Sequence, residues 1–467
     1  MDHTDVAVIG GGLLGCFTAR ALTAYQLRVT VLEAREDVYT GISWVNTGIV
    51  YTGCDTKPGT LKTRLCVRAN RDFDRLCQEL DVPFSRCGSL MAAFGPRGAA
   101  VLEKKLRQGR TNGVPGLALL GPEEVYAREP HLAPGVRLGL YAPGTGTVIP
   151  WELGAAAFES ARSNGAVFRF SEEVLRMERT SSGYRLDTSR GSWAARAVVN
   201  CAGLRADAVR EMTKLPAVRI FPTAGDYLVL DSPAAGFVRH ILFHEPEERG
   251  KGLTLTPATD GSLLVGPTER DTVSGRAVSR EGLDTLYRLC AQVVPDLPLG
   301  EVIRSFAALR PNPREVREQE GVWLPADRSI SGFTILEEDG LISLLGIKTP
   351  GLTCAQPLGE YAAALAARFL GSPGRNPRYD PSRRGIRRVR GLDEEARSAL
   401  IRENPDFGEV VCRCRDVTKG EILEAVRRGA STVEGIKRRT GAGMGCCQGS
   451  RCAQAVLELM GGADGLL

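Results

Sequence analysis

Near its start the chain sets an unbroken apolar run, 6–9, directly before the triplet Gly10-Gly11-Gly12. A run of that kind predicts a central parallel strand, buried on both faces. Apolar positions then take helical spacing through 16–22, and a second short strand, 28–32, ends at Glu33. Strand, glycine turn, helix and strand are the opening of a βαβ framework. Short β-rich runs with many Gly and Pro turns follow over about 87–150, with one helix at 97–108, and again over about 218–310. Between them lie an amphipathic helix, 151–163, and a strand, 166–170. Residues 197–203 and 340–346 read as further buried strands, and Pro350-Gly351-Leu352-Thr353 opens a helix of alanines and leucines through 367. The predicted fold is α/β: a Rossmann-like domain over 1–370 with an α+β domain inserted in two pieces. A ligand belongs in the crevice between them.

After residue 370 the pattern changes. Residues 371–384 are rich in Pro, Gly and Arg and read as a linker, and a helix at 393–403 completes a connecting stretch over 371–405. The tail, 406–467, predicts three short helices. One is started by the capping-box spacing Thr418-Lys-Gly-Glu421, another begins at Thr432, and the last covers 453–460. So small a unit has little core, and a metal centre would be its main staple.

Composition narrows the function classes. Apolar content of 43% and charged content of 25% over 467 residues support two or three domains with a large core. No apolar run reaches the ~18–20 residues of a membrane span, and the start Met-Asp-His-Thr-Asp lacks the cationic stretch of an export signal. The expected location is the cytoplasm, free or peripheral to the inner membrane face, with thiols reduced. A formal charge of +5 is modest for this length. The arginines around 383–390 and 426–439 read as a solvated linker and a basic helix, so no nucleic-acid partner is expected.

The glycine turn has a physical recipe. Gly10 permits the tight turn, Gly12 lets the backbone approach a pyrophosphate, and Gly15 lets the helix pack on the strand. The helix N-terminus then faces the phosphates. Glu33 is placed to accept bonds from both ribose hydroxyls of an adenosine. The polar loop Gly41-Ile-Ser43-Trp-Val-Asn46-Thr47-Gly48 suits a flavin ring better than a nicotinamide, so the expected dinucleotide is FAD. Only one such glycine motif occurs, and no nicotinamide site is expected.

At the other end the spacing Cys412-Arg-Cys414 … Cys447-Gln-Gly-Ser-Arg-Cys452 brings two thiolate pairs to one centre. Four thiolates hold either an iron–sulfur cluster or zinc. A neighbouring flavin favours iron, which accepts single electrons.

These stretches, with Pro58-Gly-Thr-Leu-Lys-Thr-Arg-Leu-Cys66, Gly225-Asp-Tyr-Leu-Val-Leu-Asp231, Leu309-Arg310-Pro311 and Gly346-Ile-Lys348-Thr-Pro-Gly351-Leu-Thr353, carry a resemblance. The chain resembles FAD-dependent oxidoreductases of the D-amino-acid-oxidase superfamily. More narrowly, it resembles the large subunits of anaerobic glycerol-3-phosphate dehydrogenases. The tail resembles the bacterioferritin-associated ferredoxin type of [2Fe-2S] domain. The resemblance implies that Ala202 and Gly203 lie beneath the pyrophosphate and that the N–H groups at Gly351, Leu352 and Thr353 face the flavin. It also marks Cys447, rather than Cys446, as the ligand four residues before Cys452.

For the substrate, Arg310 is fixed between an apolar run and Pro311, where a guanidinium can clamp a carboxylate or phosphate. Lys251 is a second candidate anion contact, and His244 a candidate base. Where hydroxyacid relatives carry histidine and an acidic or neutral residue, this chain has Tyr51 and Lys348. That leaves no histidine anchor there, so FAD is expected to bind non-covalently. The implied activity is dehydrogenation of a small anionic hydroxy compound such as glycerol 3-phosphate. The alternatives are an amino- or imino-acid dehydrogenase of the same fold and a non-catalytic redox subunit. The expected electron acceptor is a partner protein in a hetero-oligomer, either a flavoprotein with a nicotinamide site or a membrane-anchored, quinone-linked subunit.

Overall fold

Two sheets organise the chain, and the strand 6–9 sits at the heart of the first. The computed structural model describes residues 1–214, 218–245, 252–271, 277–319 and 322–461; Lys251 lies outside them. The strand Asp2–Ile9 pairs in parallel with Val29–Leu32 on one side and Gly191–Asn200 on the other. Val167–Arg169 and Leu341–Leu345 extend the parallel set. Val6, Val8, Val31, Ala197 and Val199 are wholly or almost wholly buried, as apolar runs covered on both faces require.

Helix Leu13–Leu22 packs between this sheet and the helices Pro150–Ser163 and Ala355–Phe369. Contact is close because Gly359 faces Phe17: a Cβ there would lie 2.6 Å from the Phe17 carbonyl carbon.

The second sheet has ten strands among the described residues. Its spine is the long antiparallel pair Val218–Leu230 and Val302–Gln319. Ser89–Ala93, Leu138–Ala142, Ile241–His244, Thr254–Pro257 and Leu263–Val265 complete the wall that faces the first domain. The boundary expected near 310 falls inside Val302–Gln319, and the sheet runs on through Val322–Ser329. Two helices inside stretches read as β-rich or unassigned are amphipathic. Leu61–Leu80 buries Leu65, Ala69, Phe73, Leu76 and Leu80, and Arg280–Val293 buries Leu286, Leu289 and Val293.

The stretch read as a linker is pinned to the first domain. Gln26 N–H donates to Gly374 O (2.9 Å), Asn376 N–H to Ala24 O (3.0 Å) and Arg20 to Pro381 O (3.0 Å). Beyond it, Lys419–Arg427, Val433–Thr440 and Ala453–Gly461 close on a small core of Ile422, Ala425, Val426, Ile436 and Val456. Thr418 and Thr432 cap the first two of these helices, as their spacing predicts.

Candidate functional site

A single cavity of about 980 Å³ runs from the glycine turn to the wall of the second sheet. Gly10 takes φ +101°, where a Cβ would stand 2.7 Å from Cys201 O. At Gly15 a Cβ would stand 1.8 Å from Gly10 O, so this residue fixes the helix against the turn from behind, off the cavity wall. Gly15→Ala is accordingly expected to lower the melting temperature by several degrees, on the overpacking scale of about 1–3 kcal/mol, with loss of dinucleotide retention on gel filtration.

Gly12 starts the helix with no side-chain cap, and a Cβ there would meet only Ser43 Oγ, at 3.2 Å. Leu13 N–H donates to that same hydroxyl (3.1 Å). Glu33 accepts from Gly11 N–H (2.5 Å) and Arg35 N–H (2.9 Å), and burial raises its carboxyl above the ordinary value against those bonds. Asn46 folds its own loop: its amide donates to Ser43 O (2.6 Å) and accepts from Gly48 N–H (2.8 Å). Ser43, Asn46, Thr47, Ala202, Gly203, Gly351 and Leu352 all line the cavity.

Like Gly15, two further expected contacts stand behind the wall instead. Gly48 is a packing glycine, since a Cβ there would lie 2.1 Å from Val148 O. Thr353 Oγ1 accepts from Tyr51 N–H (3.0 Å) and donates to Ile49 O (3.4 Å), which ties two segments together. The helix expected from Pro350 begins at Ala355. Residues 350–354 form turns, and Gly351 N–H donates to Lys348 O (2.8 Å) rather than facing the cavity as a free donor.

The far end is aromatic and cationic. Arg310 Nη1 lies 2.9 Å from Glu269 Oε2, and its Nη2 donates to Thr268 O (3.4 Å). Gly225 on the paired strand makes room for it, since a Cβ there would stand 3.2 Å from Nη2. Lys348 Nζ donates to Asn312 Oδ1 (2.7 Å). Burial pulls the Lys348 ammonium below its usual pKa, and the neighbouring charge of Lys62 adds to the effect. Tyr51 stands 6.4 Å from the Phe243 ring, and burial holds its phenol well above the ordinary value. Tyr227, which sequence reasoning missed, also lines this end; it stacks on its register partner Phe306 at 4.7 Å. Its signal was strand parity, with Gly225 and Tyr227 two apart on one face.

Parity also corrects His244. In Ile241–His244 the alternation sends Phe243 into the cavity and His244 to the other face, 5.7 Å from the Phe94 ring. Among the described residues no histidine lines the cavity.

The tail thiols come together in pairs. Cys412 lies beside Cys452, and Cys414 beside Cys447, close enough for each pair to interact. Cys446 Sγ also lies 3.7 Å from Cys414 Sγ. Backbone N–H groups of Arg451 and Gly449 lower the Cys447 thiol to about 7, whereas burial pushes Cys452 up to about 12. Two thiol pairs suit a two-iron cluster, in which each iron takes two thiolates. The glycine cradle, with its uncapped helix start and the acid beyond it, likewise fits a dinucleotide pyrophosphate and ribose.

Comparison with known proteins gives independent findings. A family model described as FAD dependent oxidoreductase matches residues 5–365, and one described as BFD-like [2Fe-2S] binding domain matches 410–461. A glycerol 3-phosphate dehydrogenase of Caloramator mitchellensis is 36% identical over 98% of this chain and 93% of its own length. A subunit of the anaerobic glycerol-3-phosphate dehydrogenase of Escherichia coli K12 is 26% identical over 97% of this chain and 87% of its own length. Among solved structures, the FAD-bound L-alpha-glycerophosphate oxidase of Mycoplasma pneumoniae superposes with a TM-score of 0.73 at 25% identity, over 82% of this chain and 99% of that one.

Proposed function

The chain belongs to the family of FAD dependent oxidoreductases and carries a BFD-like [2Fe-2S] binding domain, and on that premise we propose a dehydrogenase that oxidises glycerol 3-phosphate, or a small hydroxy compound of similar charge, and sends the electrons out through its C-terminal domain. When bound, FAD supplies the hydride acceptor and the cluster a one-electron relay.

This chain's residues divide the remaining work. The backbone N–H of Gly12 and the adjoining helix dipole hold the pyrophosphate, Gly10, whose own N–H is donated to Leu32 O (2.9 Å), shapes the turn, and Glu33 takes the ribose hydroxyls. Ser43, Asn46, Thr47, Ala202, Gly203, Gly351 and Leu352 shape the wall along the dinucleotide, while Gly15, Gly48 and Thr353 brace it from behind. In this reading FAD is held non-covalently. Arg310 fixes the anionic end of the substrate with its planar fork. Lys348, whose lowered pKa makes the free amine more accessible, takes the hydroxyl proton. Tyr51 stays a neutral phenol and orients the substrate. Cys412, Cys414, Cys447 and Cys452 hold the cluster as thiolates.

One observation carries this reading: the same cavity joins the glycine turn to the pair Arg310 and Lys348. The naming of a relative as one subunit of an enzyme supports a hetero-oligomer whose partner takes the electrons. That partner is a flavoprotein with a nicotinamide site or a membrane-anchored, quinone-linked subunit. Among the described residues no helix is long and apolar enough to cross a membrane.

The test is anaerobic visible spectroscopy of the doubly loaded protein during titration. Glycerol 3-phosphate is expected to bleach the flavin and then the cluster, and uncharged glycerol to do so only weakly, at far higher concentration. A second reading, amino- or imino-acid dehydrogenation, is favoured by the absence of histidine from the described cavity lining, because a neutral amine needs no base. Bleaching by proline or another amino acid, with no hydroxy compound active, would replace the first reading by the second.

A further inference from the structure

One hairpin of the second sheet reaches from the cavity to the cysteine domain. Its strands Thr254–Pro257 and Leu263–Val265 pair in antiparallel register, Leu255 with Val265 and Pro257 with Leu263. Thr254 and Pro267, at its foot, line the cavity. Its tip is the turn 258–262, closed by Ala258 N–H donating to Ser262 O (2.9 Å). Asp260 is fixed in that turn, since its Oδ1 accepts from Ser262 N–H (3.0 Å) and from Ser262 Oγ (2.6 Å).

The tip grips Arg415, the residue that follows Cys414. Arg415 Nη1 donates to Asp260 O (3.1 Å) and lies 3.4 Å from Asp260 Oδ2. Its Nη2 donates to Met444 O (3.0 Å), at the start of the loop that carries Cys446 and Cys447. That loop lies tight against Cys414, because a Cβ on Gly445 would stand 2.4 Å from Cys414 Cβ. The guanidinium therefore belongs to one ligand segment and is bonded to the other. Asp260 comes from a different domain and meets both through it.

A staple between domains would not need this placement. The Arg415 side chain is only 5% exposed, and its Nε has no hydrogen-bond partner among the described residues. An unpaired N–H on a buried cation is unfavourable and calls for a reason. Reduction of a cluster supplies one: it adds one electron and no atom, and a fixed cation nearby stabilises the added charge. Salt and water screen a buried cation little. Arg413 and Arg451 also adjoin ligand cysteines, but both are exposed. Cluster potentials respond to charge, hydrogen bonding and exposure around the sulfur ligands.

We infer that Arg415 is a positioning residue that raises the reduction potential of the cluster, while Asp260 holds its guanidinium in place and moderates its charge. The inference rests on the reading of Cys412, Cys414, Cys447 and Cys452 as the cluster ligands.

The test is a mediated redox titration of the holoprotein without substrate, the cluster being followed by its visible and EPR signals. Arg415→Gln is expected to lower the one-electron reduction constant of the cluster at least ~threefold, about 30 mV at 59 mV per tenfold. Asp260→Asn is expected to raise it ~twofold or more, because the same cation then lacks its counter-charge. Arg451→Gln makes the same change of charge in solvent and is expected to shift the potential less than half as far as Arg415→Gln.

Shifts of one sign in Arg415→Gln and Asp260→Asn, no shift in either, or an equal shift in Arg451→Gln would overturn the inference. Asp260 lies outside the cysteine domain, so its variant decides the matter even where Arg415→Gln fails to hold a cluster: a lowered or unchanged potential in Asp260→Asn overturns the inference by itself. Failure of the ligand reading shows separately, as a cluster spectrum that Cys414→Ser leaves unchanged.

Discussion

Arg310→Ala is expected to lower kcat/KM for glycerol 3-phosphate by roughly 30- to 1,000-fold, corresponding to about 2–4 kcal/mol of lost contact with a partly desolvated anion. The side chain is only 14% exposed and is held by Glu269, Thr268 O and the space left at Gly225. It therefore presents a fixed fork to the cavity without ordering a flexible chain on binding. Three further measurements give this number its meaning. Uncharged glycerol, reacting weakly, should lose little on the same substitution, because the lost bonds are those to the phosphate. Arg310→Lys should recover only part of the activity, since a point charge does not reproduce two parallel bonds. Glu269→Gln removes the ion pair but keeps the cation, and it should leave kcat/KM within ~threefold, the scale of a half-exposed salt bridge. Equal losses in Arg310→Ala and Glu269→Gln would show Arg310 to be a structural partner and not a substrate clamp.

What could be read from the sequence and what could not divides along physical lines. The glycine turn, Glu33, the capping threonines and the cysteine spacing are local, and each imposes its geometry within a few residues. The helix Arg280–Val293 carries apolar residues at helical spacing but sits in a stretch whose Gly and Pro content suggested strands, while Leu61–Leu80 carries the same spacing outside every stretch assigned from the pattern. Facing was harder than existence. His244 and Phe243 share one short strand, and only its register with Ser89–Ala93 and Thr254–Pro257 decides which of them meets the cavity. Gly48 and Thr353 read as contacts because they flank residues that do line the cavity, yet their roles depend on Val148, Ile49 and Tyr51, distant in sequence. The Pro- and Gly-rich stretch after 370 has a linker's composition, and nothing within it reveals the carbonyls and acids of the first domain that hold it down.

Asp37→Asn is expected to uncouple the two halves of the relay. Asp37 is fully buried and lies four residues beyond Glu33, on the loop that leads away from the ribose site. Both its oxygens are taken from across the chain: Arg439 bonds them at 2.7 and 2.8 Å, and Arg438 bonds one at 3.0 Å. Arg439 also lies 5.8 Å from the Phe158 ring, and Gly435 leaves no room for a Cβ beside the carboxylate. This lock fixes the domain that carries the cysteines against the domain that carries the dinucleotide turn. Burial alone would raise the Asp37 carboxyl, but the bonds from Arg439 and Arg438 outweigh it and hold the pKa below its ordinary 3.8. The lock is therefore complete above that value and is lost as pH falls through the depressed one.

Removing the charge at neutral pH leaves two buried guanidiniums short of their partner, at a cost of about 3–5 kcal/mol. That is enough to free the domain while its own core and cluster persist. Flavin reduction by substrate should then proceed at close to the parent rate, since no cavity residue changes. Electron arrival at the cluster, followed by rapid-mixing spectroscopy, should slow at least ~tenfold, because the separation is no longer fixed. Limited proteolysis should cut the Asp37→Asn variant in the 371–405 stretch, which the parent protects by pinning. Unchanged cluster reduction in a variant that proteolysis shows to be undocked would mean that transfer does not depend on this lock. The distance between the two centres would then be set by contacts elsewhere, with Arg428 and Arg383 on Glu159 the next pair to break.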